Sequence, residues 1–319
     1  MLTLSSLIIF DDFDTTGSLK LPFCNNIEIE KSRKTLTNTC KITLPRNMLG
    51  LQNYDINKRF LRPGLKVTVS LGYDGVLVKE FTGYIAKVSF KIPVEIICED
   101  EMWPLKQNSF TRAFPSVSLK ELIKYVYTGT ARVSDLTLGG FVIKQQSTAQ
   151  VLEALKKFGV QCYFDTDGVL VAEFAGSISG KRKEILYDFN TNVIDNDLEY
   201  KRKEDIRIKV KGISKLPDGK KIEVFFGEQD GDERTLNFVN LDKAALFKIV
   251  QNEFDKLKQD GLTNSFTTFG MPYAEPGDIA IINDDVYPER NGSYLIESVK
   301  TLHGVNGFRR VITPERKLA

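Results

Sequence analysis

The chain has 319 residues, 42% of them hydrophobic and 27% charged, with 44 basic against 42 acidic side chains and a formal charge of +2. That balance excludes a disordered or membrane-spanning chain and argues against a dedicated nucleic-acid binder, which needs a clearly basic face. At about 150 residues per domain, the length predicts two domains with room for an insert, enough chain to bury a core without staples.

The apolar opening, Leu2 to Phe10, has no basic leader, and Asp11, Asp12 and Asp14 follow it where a cleavage site would need small residues. It is also far shorter than the ~20 residues of a membrane span, so it reads as a β-strand of a protein made in the cytoplasm. Cys40, Ile42 and Leu44 form a short alternating strand, and Leu65, Val67, Val69 and Leu71 a longer one. Ser118 with Glu121 spells a capping box, Val117 can staple onto Leu122, and Leu119, Leu122, Ile123 and Val126 make the helical stripe behind it. Ser147 with Gln150 opens a second helix that ends near Gly159. Ile206, Ile208 and Val210 alternate again. A third helix runs from about Asp242 to Gln259, with Leu246, Val250, Phe254 and Leu257 on one side and Gly261 after it. Asx-Gly turns (Asp74-Gly75, Asp167-Gly168, Asp218-Gly219, Asn291-Gly292, Asn306-Gly307) separate short strands, which predicts antiparallel sheets or barrels.

An internal repeat is the most informative feature. Arg62-Pro63-Gly64 leads into an alternating strand and then Gly83-Tyr84-Ile85; Glu275-Pro276-Gly277 leads into another and then Gly292 to Ile296. Pro-Gly sets a tight turn, and glycine relieves the backbone where the second strand starts.

Catalytic chemistry has little to work with. The one histidine, His303, precedes Gly304 in what reads as a turn, so neither a hydrolase triad nor a histidine-rich metal site can be assembled around it. The scattered Cys24, Cys40, Cys98 and Cys162 read as reduced, buried thiols. Glu99 and Glu101 could share a strand face, but no apolar pocket that would raise a carboxyl pKa is apparent. Asp284-Asp285 and Asp230 to Glu233 lack the alternating ligands of an EF-hand. Lys181-Arg182-Lys183 and Lys201-Arg202-Lys203 sit beside acids and read as a charged solvent face or subunit contact. No catalytic, cofactor or metal residue is assigned.

Several segments resemble the baseplate hub proteins of contractile phage tails, the late control gene D type that includes those of Mu-like phages. They are Phe81 to Ile85, Ile96 to Leu105, Ser265 to Gly270, Pro276-Gly277-Asp278, Tyr287 to Tyr294 and Gly307 to Ile312. The resemblance implies a mainly β protein with an α+β insert: two related tube-type antiparallel β-barrels per chain and a small α+β module. It implies a non-enzymatic homotrimer whose six barrels match a six-fold tail tube on one side and a three-fold central spike on the other. Other baseplate proteins would surround it, DNA would pass through the lumen only as cargo, and the ring would sit in the virion tail baseplate after assembly in the bacterial cytoplasm. The spike would be a separate polypeptide. The division expected is a first barrel at 1–105, the α+β module at 106–185, and a second barrel at 186–319 carrying the long helix, with the strand around Ile206 to Val210 a candidate to cross back into the first barrel. The interface expected is the loop of Tyr287, Pro288, Glu289 and Arg290, stiffened by proline and anchored by arginine. The alternatives are the hub of a non-phage contractile injection system, a receptor-binding tail-tip protein and a tail-associated cell-wall hydrolase.

Overall fold

The alternating segments form strands throughout the computed structural model, which describes residues 2–14, 17–45, 61–89, 91–174 and 182–318. The architecture is mainly β with an α+β insert. The first part contains β1 (Leu4–Asp14), β2 (Gly17–Leu21), β3 (Asn26–Ser32), β4 (Thr39–Leu44), β5 (Lys66–Tyr73), β6 (Val76–Ser89) and β7 (Val94–Glu99). They pair in the order β2-β1-β5-β6-β7-β4-β3, and β3, β4 and most of β5 turn alternate residues inward, as a half-buried strand does. In β4, Cys40, Ile42 and Leu44 are buried while Thr39, Lys41 and Thr43 are not. Phe10, Ile27, Ile42, Val69 and Ile96 meet in a single core.

A one-turn helix, α1 (Met102–Leu105), leads into the insert: β8 (Phe110–Ser118), α2 (Leu119–Val126), β9 (Ala131–Val133), β10 (Thr137–Gln146), α3 (Thr148–Ala154), β11 (Val160–Phe164) and β12 (Leu170–Phe174). Both expected capping boxes form. The Glu121 amide donates to Ser118 Oγ while Glu121 Oε2 accepts from the Ser118 amide, and Ser147 and Gln150 exchange the same pair of bonds. After α3 a 3-10 turn closes at Gly159, which adopts φ +74°.

The rest of the chain supplies β13 (Glu184–Asp188), β14 (Val193–Asn196), β15 (Glu199–Lys201), β16 (Ile208–Lys215), β17 (Lys221–Gly227), β18 (Asp232–Val239), α4 (Lys243–Leu257), β19 (Gly261–Thr263), β20 (Phe266–Phe269), β21 (Ile279–Asn283), β22 (Gly292–Gly304) and β23 (Gly307–Lys317). Strands β13, β21, β22, β23, β20 and β14 follow one another in a second curved sheet around Tyr187, Phe266, Ile282, Tyr294 and Ile312.

Two expectations about this region are corrected. The strand expected to cross into the first barrel is β16, and it lies instead at the centre of a separate sheet ordered β17-β16-β18. The long helix α4 packs on that sheet so tightly that a Cβ on Gly212 would stand 2.4 Å from Val250 Cγ2. Val224, Phe238, Leu241, Leu246 and Ile249 then share one core with Leu119, Leu122, Leu152 and Leu170 of the insert. An apolar stripe declares that a face is buried but not what covers it, and here the cover comes from a distant stretch of chain. His303 also departs from its expected turn: β22 continues to Gly304, and the side chain is buried, with burial pushing its pKa below the ordinary value.

The repeat is present as matching hydrogen bonds. The Gly64 amide donates to the Ile85 carbonyl and the Ile85 amide to the Leu65 carbonyl, each at 2.8 Å; the Gly277 amide donates to the Ile296 carbonyl and the Ile296 amide to the Asp278 carbonyl, at 2.8 and 2.9 Å. Gly64 and Gly277 have φ of +89° and +96°, a region where a Cβ is strained, so both turns require glycine. The bonds align Ile85 with Ile296, which places Gly83 against Tyr294 and not against Gly292.

Strand β22 joins the two halves. Its first residues pair with β21, its register shifts between Tyr294 and Ser298, and Ser298 to Gly304 then pair with β3. Such bulges bend a strand locally, and this one carries a single strand from the second sheet into the first. Phe308, just beyond the hairpin, is buried in the core of the first sheet.

Candidate assembly surfaces

The loop expected to be an interface is built around Asp284. Its carboxylate accepts the Val286 and Tyr287 amides, both at 3.0 Å, and Asn291 Oδ1 accepts the Asp284 amide. Pro288 opens a 3-10 turn that ends with Arg290. The Arg290 guanidinium lies 4.2 Å from the Tyr287 ring centroid and donates to the Leu198 carbonyl at 2.8 Å and Asn196 Oδ1 at 3.1 Å. Arg290 is therefore turned toward its own sheet, whereas Tyr287, Pro288 and Glu289 are exposed together with Val286.

A buried polar junction, unforeseen from the sequence, ties all three parts together. Arg310 of β23 forms a two-pronged ion pair with Glu80 of β6, at 2.5 and 3.0 Å, and neither side chain is more than 1% exposed. The same guanidinium donates to the Gly270 carbonyl and Thr301 Oγ1 and lies 5.0 Å from the Tyr273 ring. Beyond Tyr273, Lys31 of β3 donates to Thr166 Oγ1 in the β11–β12 turn at 2.8 Å and pairs with Glu275 at 3.5 Å. Burial holds the Lys31 pKa below its ordinary value, partly offset by the Glu275 carboxylate. A sequence signal did exist: alternation through Phe308, Arg310 and Ile312 puts this arginine on the inward face.

Asn38 and Asp100 make a second link. Asp100 accepts the Asn38 amide at 2.9 Å and the Met102 amide at 3.0 Å, and Asn38 Nδ2 donates to the Phe164 carbonyl at 3.1 Å. Burial pushes the Asp100 carboxyl up to about 7, the two amides opposing that rise.

The other sequence candidates have structural partners. Glu99 pairs with Lys106 at 2.7 Å, and Glu101 accepts from the Tyr84 hydroxyl at 3.1 Å. Asp230 pairs with Arg207 and Glu233 with Lys209, while Asp285 accepts from Asn190 Nδ2. Arg182 pairs with Glu173 and Lys183 donates to the Tyr273 carbonyl; Lys181 lies outside the described residues. Lys201, Arg202 and Lys203 are exposed. Cys40, Cys98 and Cys162 are buried free thiols and Cys24 is half-buried. Among the described residues, no group of three or more His, Cys, Asp or Glu side chains could hold a metal ion, and no helix is long and apolar enough to cross a membrane.

No family model and no curated protein matches the chain. Solved structures do. The fold matches a tail protein from Neisseria meningitidis MC58 with a TM-score of 0.70 at 13% identity, covering 98% of this chain and 97% of that one. It matches the 43 kDa tail protein of prophage MuSo2 from Shewanella oneidensis with a TM-score of 0.65 at 15% identity, covering 98% of each. A third match, TM-score 0.58 at 11% identity, is an E. coli component of the type VI secretion system with structural similarity to the T4 bacteriophage tail proteins gp27 and gp5; it covers 92% of this chain and 74% of that one. The chain has the fold of these tail proteins.

Proposed function

We propose that this protein is the baseplate hub of a contractile tail: a homotrimer whose paired barrels make a pseudo-six-fold ring that joins the tail tube to a central spike. The observation that carries the reading is the duplication, in which Gly64, Leu65 and Ile85 reproduce the hydrogen bonding of Gly277, Asp278 and Ile296. Two equivalent barrels in each of three chains provide six similar positions, and head-to-tail contacts close when the rotation divides the circle. The end-to-end likeness to tail proteins supports the same reading. The barrels occupy roughly 1–105 and 186–319, the latter interrupted by the stretch from β16 to α4, which joins the insert.

In this reading the chain is a structural part of the virion tail, and its chemistry is load transmission. The Glu80–Arg310 and Lys31–Glu275 pairs tie the barrels to each other, and the Lys31–Thr166 hydrogen bond ties them to the insert. The exposed loop of Tyr287, Pro288 and Glu289 serves as a contact, and Arg290 sets its shape. Electron microscopy of the purified protein, alone and with its spike, tests the proposal through end-on views. A hollow ring of three chains with six lobes is expected; a compact single chain in both samples would remove the hub reading.

A further inference from the structure

The hydrogen bonds of the duplication make the strands β5 and β21 equivalent, and each ends in a connection to the next equivalent strand. Directly after β5 the chain reads Asp74-Gly75-Val76-Leu77, and directly after β21 it reads Asp284-Asp285-Val286-Tyr287. Both tips expose apolar side chains: Val76 is 73% exposed and Val286 72%, with Leu77 and Tyr287 exposed beside them. Internal bonds brace each tip. Asp74 accepts the Thr3 amide, and Asp284 accepts the Val286 and Tyr287 amides. Each tip also carries an exposed carboxylate, Asp74 in one and Asp285 in the other, and neither forms an ion pair among the described residues.

Exposed valines normally need no explanation when they are scattered. Here an exposed valine, a large side chain after it (Leu77 or Tyr287) and an acid with no ion pair among the described residues recur in the corresponding connections, β5–β6 and β21–β22, of two barrels whose strands differ in length and sequence. We propose that the two tips are equivalent plugs for one kind of socket. The partner would be a homo-oligomeric ring whose identical subunits each present an apolar recess with a lysine or arginine at its rim. This inference rests on the hub reading, in which the ring would be the tail tube; each chain would fill two successive sockets and three chains all six. The basic rim follows from charge: each plug brings one exposed carboxylate that forms no ion pair among the described residues.

The test uses the full-length protein and the purified tail tube protein of the same virion, assembled as rings. Val76→Asp, Val286→Asp and, as a control, Val305→Asp would each be compared with wild type in ring co-sedimentation. Val305 is also apolar and 94% exposed, but it lies at the β22–β23 turn, outside the pair of equivalent tips. Placing a charge in an apolar socket forfeits the burial of a valine, so Val76→Asp and Val286→Asp should each weaken binding about tenfold or more. Val305→Asp should bind as wild type does, and all three variants should keep the wild-type melting temperature and ring. A Val76→Asp or Val286→Asp variant that binds like wild type would overturn the equivalence while leaving the hub reading in place. Equal loss in Val305→Asp would reduce the effect to general stickiness, and loss of the ring itself would make the tips subunit contacts; either result overturns the proposal. If wild-type protein shows no binding to the tube, the hub reading falls and the plug assignment falls with it.

Discussion

Glu80→Gln removes one charge from a place where water cannot replace it. Glu80 is 1% exposed and Arg310 0%, so the variant keeps a buried guanidinium with no counter-ion. Breaking a buried pair in this way costs about 3–5 kcal/mol. The lower end applies here, because the Gly270 carbonyl and Thr301 hydroxyl still accept from Arg310. The double variant Glu80→Leu/Arg310→Met removes both charges and fills similar volume. It orphans only those two neutral acceptors, at about 1 kcal/mol each, and should be more stable than Glu80→Gln. Urea unfolding of the two variants and wild type gives the comparison. The pair joins β6 of the first barrel to β23 of the second, so Glu80→Gln should also loosen the barrels from each other, seen as faster amide exchange in β22 and β3. The reasoning fails if Glu80→Gln lies within about 1 kcal/mol of wild type, or if the double variant is the less stable one.

Other consequences are more local. Tyr187 and Tyr294 are fully buried and their hydroxyls have no hydrogen-bond partner among the described residues, so Tyr187→Phe and Tyr294→Phe should each raise the urea midpoint, by about 1 kcal/mol in stability; a loss instead would show that a bridging water satisfies the phenol. Gly212→Ala drives a methyl into Val250 and Leu246 and should cost about 1–3 kcal/mol, with Val250→Ala in the same chain recovering part of it; an unchanged midpoint for Gly212→Ala would refute the close packing of α4 on β16. Asp100 makes stability depend on pH. Its carboxyl titrates near 7 when folded, against an ordinary 3.8, so between those values the folded state holds more protons than the unfolded one and stability falls as pH rises. The full effect across that window is about 4 kcal/mol. Wild type minus Asp100→Asn, measured from pH 4 to pH 8, should trace this fall, and a difference that stays flat with pH would refute it.

What could be read from the sequence follows from where each constraint is written. A helix cap is local, so Ser118 with Glu121 and Ser147 with Gln150 announce their helices and the structure forms both boxes. The Pro-Gly turns are local too, because Gly64 and Gly277 must take a positive φ whatever else the chain does. The loop at Tyr287 could be located, but not the direction of Arg290, since the acceptors that turn it inward, the Leu198 carbonyl and Asn196 Oδ1, lie some ninety residues earlier. The same non-locality hid the partner of α4 and put His303 in a turn instead of a strand.

Arg310 shows how far local reading can be pushed. Period-two alternation places it inward between Phe308 and Ile312, and an arginine there must find a counter-charge or unfold the strand. The pattern thus demands a buried carboxylate somewhere in the chain without saying which. Glu80 is such a residue only because β22 bends at its bulges and brings the second sheet alongside the first. The two halves pair through β3 and β22, and the buried Glu80–Arg310 pair links β6 to β23 across that seam. A slip of two residues between β3 and β22 would keep every inward side chain inward, so apolar alternation alone does not forbid it. A buried ion pair penalises such a slip by leaving both charges unpaired. In the proposed ring, which needs its barrels at defined spacing, that penalty has a use beyond stability alone.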